Sequence, residues 1–190
     1  MTSKADGNVP HGSTDMTLSD LLKTGFIGLP IGAMREIATN DIQNLAAVGG
    51  ILASDSAPSL ARVNGATDKA LRVAWAATVV AEAQFQPVAM PPDFDETQAA
   101  TVHLVMAMAG ATDTPLVDVQ VFDGVGDTEM GGNTAAVTGT AVAEYSVTIA
   151  AANLSGHPTG FLNVSLVPAA HGTDALYLYG AWIEYQRKAL

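Results

Sequence analysis

Two stretches of this chain carry side chains that could do chemistry. In Pro91-Pro92-Asp93-Phe94-Asp95-Glu96 the carboxylates of Asp93, Asp95 and Glu96 crowd together, and His103 follows on a strand-like run. Hard cations take several oxygen ligands, so these residues are the right types for a metal or acid/base site. The same residues also compose an ordinary strand connection. Two prolines end a ladder because they lack the donor, and Asp-Phe-Asp gives a polar turn with one apolar anchor. That plainer use is the expectation. His103 shares a face with Thr101 and Val105 and reads as a sheet residue.

The second stretch is the glycine-rich loop 122–133. Asp123, Asp127 and Glu129 are its calcium candidates, although their spacing departs from the EF-hand loop. Gly124-x-Gly126 lacks the third Gly, the preceding βαβ unit and the Lys that a phosphate loop needs. A surface hairpin loop is the expected reading, with no bound metal. Nucleophilic catalysis finds no support. There is no Cys, no G-x-S-x-G elbow, and none of His11, His103, His157 and His171 has a partner at a recognisable spacing. No catalytic residue and no cofactor are expected.

Charge narrows the partners further. The 190 residues carry a formal net charge of −11, and from Val73 to Gln186 there is not one Lys or Arg. A protein that neutralises phosphates needs several cations on one face, so nucleic acid is a poor partner for this region and none is expected. The N-terminus MTSKADGNVPHGSTD lacks the apolar run of a secretory signal, and no apolar stretch is long enough to span a bilayer. The expectation is a protein with no membrane partner that stays where it is made.

The elements that would position these residues fall into two parts. Residues 1–50 predict an extended N-terminal arm: a short helix begun at Ser19 and ended by Gly25, an apolar strip Phe26–Met34 broken by glycine and proline, and a second short helix over Asn40–Val48. Short isolated helices do not bury themselves, so the arm is expected to lie on the main domain or on another chain. From residue 51 to 190 the period changes to two. Ala70–Ala76, Val80–Met90, Thr101–Met108, Leu116–Phe122, Val142–Ile149, Phe161–Val167 and Leu176–Tyr185 read as strands with no helix between them. That pattern predicts an all-β domain, a sandwich or a closed barrel. Strict alternation puts Glu144, Ser146 and Thr148 on one face of their strand, and Asp118 and Gln120 on one face of theirs. In the last strand it puts Leu176, Leu178 and Trp182 on one face and Tyr177, Tyr179, Ile183 and Tyr185 on the other. A strand apolar on both faces is either central and covered on both sides or lies at a subunit interface, and the interface, at those four residues, is the expectation taken.

The phrases MPPDFD, TVHL, GATDTP, FDGVGDTEMGGNTAAVTGT, NLSGHPTGFLNVSLVP and HGTDALYLYGAWIEY, over residues 50 to 187, resemble the β-sandwich module of tailed-bacteriophage virion structural proteins. These are capsid decoration, or cement, proteins and head fibres. The resemblance implies an antiparallel jelly-roll-like β-sandwich, a homo-oligomer and most often a trimer, carried by an N-terminal element that docks to the major capsid protein. It places the chain on the outer capsid surface of the virion, after synthesis in the host bacterial cytoplasm. On that expectation Phe26, Ile27, Leu29, Pro30, Ile31 and Met34 would bind capsid or a neighbouring subunit. The alternative is a head or tail fibre domain that binds host-surface glycans, for which Trp and Tyr would form exposed platforms.

Overall fold

The computed structural model describes residues 8–11, 14–17, 23–38, 41–42, 50–54, 56–63, 70–126, 128–155 and 160–188. These form an all-β chain with a single 3-10 turn at Ile31–Ala33 and a one-turn helix at Ala151–Leu154. A hairpin of β1 (Asn8–His11) and β2 (Thr14–Thr17) stands apart from two antiparallel sheets. The remaining strands are β3 (Thr24–Gly28), β4 (Arg35–Ala38), β5 (Asp41–Ile42), β6 (Ser59–Arg62), β7 (Leu71–Trp75), β8 (Glu82–Gln84), β9 (Val88–Ala89), β10 (Ala100–Met108), β11 (Val117–Asp123), β12 (Gly132–Asn133), β13 (Ala143–Ile149), β14 (Phe161–Pro168) and β15 (Leu176–Gln186). One sheet runs β13-β10-β15-β7-β6, with β3 also on β15; the other runs β12-β11-β14-β8-β4-β5, with β9 also on β14. Packed face to face, they make the expected antiparallel jelly-roll-like sandwich.

The core lies between the sheets. Ala100, Val102, Leu104, Met106 and Met108 of β10 point inward, as do Val117, Val119 and Val121 of β11 and Leu162, Val164 and Leu166 of β14. Alternation holds in these strands because their outer positions face solvent, so a one-residue slip would expose the whole apolar row. Trp75 is completely buried, and its indole Nε1–H donates to the Ala81 carbonyl at 2.8 Å.

Residues of the expected N-terminal arm are built into both sheets, so of the two expected supports, main domain or another chain, these strands take the main domain. β3 pairs residue by residue with the end of β15, from Trp182↔Gly28 to Gln186↔Thr24. Arg35, Glu36 and Ile37 of β4 pair with Gln84, Ala83 and Glu82. Gly25 ends no helix: it lies in a strand, where its missing Cβ admits the ring of Tyr185. Of the expected second helix, Asp41 and Ile42 form a strand, while residues 43–48 and the start of the first helix lie outside the described residues. The six candidate docking residues therefore divide. Leu29, Ile31 and Met34 are buried in the core and Ile27 packs against it, so they are not free to bind a shell. Phe26 and Pro30 remain exposed. The physical reason is the free edge beside β15, which an extended apolar strip fills with backbone hydrogen bonds as well as side chains.

The last strand needs a second correction. Opposite β10, Met106 faces Leu178 and Val105 faces Gly180, so Tyr179 is an extra residue in β15. Such a bulge reverses which side chains point inward beyond it. Ile183 and Tyr185 consequently join Leu176 and Leu178 in the core. Trp182 moves to the outer face with Tyr177. Of the four predicted interface residues, only Tyr177 and Tyr179 are half-exposed.

Candidate functional site

The proline-rich corner is structural. Phe94 is buried and stacks on Tyr185 with ring centroids 5.0 Å apart, and the Tyr185 hydroxyl donates to Asp93 Oδ1 at 3.0 Å. Arg187 Nε lies 3.4 Å from the other oxygen of Asp93. Burial, with the Asp93 carboxylate beside it, pushes the Tyr185 phenol above its ordinary pKa. Asp95 caps its own turn by accepting from the Thr97 hydroxyl and backbone N–H, which hold its carboxyl below the usual range. His103 sits apart from this group, on the outer face of the six-stranded sheet. Among the described residues no cluster of three or more His, Asp or Glu could hold a metal ion. In the 122–133 loop Asp123 is buried, Glu129 is exposed and bridged to Phe122, and Asp127 lies outside the described residues.

The GATD and GTD turns clasp each other. Asp174 Oδ2 accepts from the backbone N–H groups of Thr112 and Asp113 at 2.7 and 3.2 Å, and Asp113 Oδ2 accepts from those of Thr173 and Asp174 at 2.6 and 2.8 Å. The N–H donors of Asp174 and Thr173 hold the Asp113 carboxyl below its ordinary pKa. Gly110 lies against the Asp174 carboxylate, so the turn has no room for a Cβ there.

Two faces of the sandwich remain as sites. On the seven-stranded sheet an open groove of about 970 Å³ is lined by Ile37, Ile42, Glu82, Gln84, Phe122 and Asn163, with Gln120 and Ser165 in its floor. Register explains the lining. Gln120 faces Ser165 and Ser165 faces Gln84 across three adjacent strands, so one polar row crosses the sheet. Phe122 faces Asn163 in the next row on the same side. The row is ordered: Ser165 Oγ donates to Gln120 Oε1 at 3.3 Å, Gln120 Nε2 donates to Asp118 Oδ2 at 3.0 Å, and Asn163 Nδ2 donates to the Gly124 carbonyl at 2.6 Å. Amides, a hydroxyl, two carboxylates and one aromatic ring make a surface that hydrogen-bonds hydroxyl groups over an extended length. Sequence reading placed Asp118 and Gln120 on an outer face but could not join them to Gln84 or Ser165, which lie on other strands.

The six-stranded sheet presents a different face. The His103 and Trp182 rings stack at 4.9 Å, tilted by only 4°. His103 Nδ1 is 2.7 Å from Glu144 Oε1, and Nε2 is 3.7 Å from Glu184 Oε2. Further along, the Arg72 guanidinium lies 3.7 Å from the centre of the Tyr177 ring, and Tyr179 meets Tyr177 edge-on.

No protein family and no curated protein match the chain. Solved structures do. A xylan-binding module, CBM15, is similar over 87% of this chain and 99% of its own, at 13% identity and a TM-score of 0.53. The CBM36-1 domain of a multidomain xylanase from the hindgut metagenome of Trinervitermes trinervoides gives 12% identity over 84% and 95%, with a TM-score of 0.48. The enzymatically active domain of tailspike protein 4 of bacteriophage CBA120 gives 10% identity, 81% of this chain and 20% of that one, with a TM-score of 0.38. The class defined here is thus the jelly-roll β-sandwich, shared with the xylan-binding module as a fold and at that level only.

Proposed function

We propose that this chain is a non-catalytic binding module that holds a glycan chain along the groove of its seven-stranded sheet, as a phage head or tail fibre domain does when it meets host-surface glycans. The groove carries the reading. Its polar row of Gln120, Ser165 and Gln84 crosses three strands, with Phe122 beside it as a stacking platform. Sugars offer hydroxyls to amides and weakly apolar C–H faces to aromatic rings, and this groove supplies both. The sandwich shared with a xylan-binding module supports the same class of ligand. Among the described residues that line the groove Glu82 is acidic, and Asp118 hydrogen-bonds the polar row beside it, which favours neutral chains over uronates.

Each amide–hydroxyl bond contributes about 0.5–1.5 kcal/mol net, so such a site binds weakly and by accumulation. Affinity gel electrophoresis against a panel of soluble polysaccharides, from plant xylan and galactan to bacterial surface glycans, tests the proposal. Retardation by at least one neutral glycan, weakened about fivefold in Gln84→Ala and in Phe122→Ala, is the expected result. Failure to retard with any of them, or retardation untouched by both substitutions, would sink it. Placement on a virion, as a fibre or as a decoration on the major capsid protein shell, belongs to the same proposal. It is tested by immunogold labelling of particles, where absence of label would remove it.

A further inference from the structure

We infer that the outer face of the six-stranded sheet holds a second site, independent of the groove, for a small organic cation of the quaternary ammonium class. The site is a notch beside Trp182. One face of the indole is covered by His103, stacked 4.9 Å away. On its other side the cross-strand neighbour is Gly28, and a Cβ built there would meet nothing within 4 Å. The indole therefore has a glycine floor next to it where any other residue would place a side chain. One row along, Phe26 and Glu184 face each other across the same two strands. Phe26 is 64% exposed, unusual for so large an apolar side chain beside a tryptophan. Diagonal neighbours in a sheet lie about 7–8 Å apart, within reach of aromatic side chains. Trp182, Phe26 and Glu184 thus bound an open corner floored by Gly28.

Charge selects the occupant. An indole face is electron-rich and attracts a cation within about 6 Å of its centroid. His103 takes its close contact from Glu144, at 2.7 Å, and stands 3.7 Å from Glu184, beyond hydrogen-bond range. The Glu184 side chain is 39% exposed, and apart from this longer contact with His103 its carboxyl group stands open toward the corner. The strands around Trp182, β3, β10, β13 and β15, carry no Lys or Arg to neutralise this corner; the cations of the sheet's own strands are Arg62 of β6 and Arg72 of β7. The same face already places one cation on an aromatic ring, Arg72 over Tyr177. A methylated ammonium suits the Trp182 corner better than a bare ammonium or a metal ion. Its methyl groups contact the apolar rings of Trp182 and Phe26, its charge is satisfied by the indole face and Glu184, and it demands no hydrogen bonds from a floor that has no donor side chain.

The probe is choline, titrated into the intact chain while the two tryptophan indole N–H signals are followed by NMR. Trp75 is fully buried and serves as an internal control. Choline and tetramethylammonium should shift the Trp182 signal saturably and leave that of Trp75 in place. The uncharged isostere 3,3-dimethylbutanol should bind at least tenfold more weakly. Glu184→Gln should weaken choline at least threefold, and Gly28→Leu, whose Cβ has open space and whose longer side chain would occupy the floor, should abolish the shift while the circular dichroism stays that of the parent. Equal binding of the isostere would make the corner a merely apolar patch. An equal response to sodium chloride would make it a general acidic surface, and a saturable shift with neutral pyranoses but not with choline would make it a sugar platform. Each of these outcomes overturns the assignment. Groove variants such as Gln84→Ala should leave choline binding unchanged, so failure of the glycan reading and failure of this one are separately visible.

Discussion

Replacing Gly25 with alanine tests whether the strip 24–28 is part of the sandwich. A Cβ at Gly25 would lie 2.2 Å from Cζ and 2.4 Å from the hydroxyl oxygen of Tyr185, where carbon contacts need about 3.5 Å. Either the ring or the strand must move by more than an ångström. The ring is not free to do so, because it is 4% exposed, stacked on Phe94 and hydrogen-bonded to Asp93. Overpacking of this kind costs about 1–3 kcal/mol. For a chain of this size each kcal/mol lowers Tm by about 2–4 °C, so Gly25→Ala should melt several degrees below the parent in calorimetry. Gly28, three residues along the same strand, has open space, and Gly28→Ala should be neutral or stabilising by up to about 1 kcal/mol through reduced unfolded-state entropy. Tyr185→Leu combined with Gly25→Ala should recover part of the loss, giving a coupling of about 0.5–3 kcal/mol in a double-mutant cycle. Equal melting of the two glycine variants, or zero coupling, would refute the placement of β3 under Tyr185.

Acid stability should report the two clasped turns. The Asp113 carboxyl is held below 3.8 in the fold, so it stabilises the native state above that value and loses its contribution as pH falls through the lowered folded pKa. Urea denaturation of Asp113→Asn should show lower stability at neutral pH and a shallower fall between about pH 5 and pH 2 than the parent; an identical acid limb would contradict the clasp. Trp75→Phe removes the donor to the Ala81 carbonyl and should cost about 1–3 kcal/mol by chemical denaturation, with glycan binding in the groove retained once the variant is folded. Met106→Ala, at a completely buried position of β10, should cost about 2–5 kcal/mol through the cavity it leaves, measured in the same way.

The sequence by itself determined the all-β architecture and the longer of its strands. β7, β10, β11, β13 and β14 are legible because an apolar row on one side and a more polar row on the other is a local pattern that burial of one face enforces, and β15 is legible as a long apolar and aromatic run. It also settled what chemistry is missing, since no thiol and no run of cations exists to be assembled. The N-terminal strands were not legible. In Phe26-Ile27-Gly28-Leu29-Pro30 the strand is formed because β15 offers it an edge, a reason that lies more than 150 residues away. Sidedness failed at Tyr179, where one extra residue moved Ile183 and Tyr185 into the core and Trp182 out of it. Both candidate sites share that origin. Gln84 meets Ser165, and Trp182 meets His103 and Gly28, only through cross-strand register, and register is set by the packing of whole sheets rather than by neighbours in the chain.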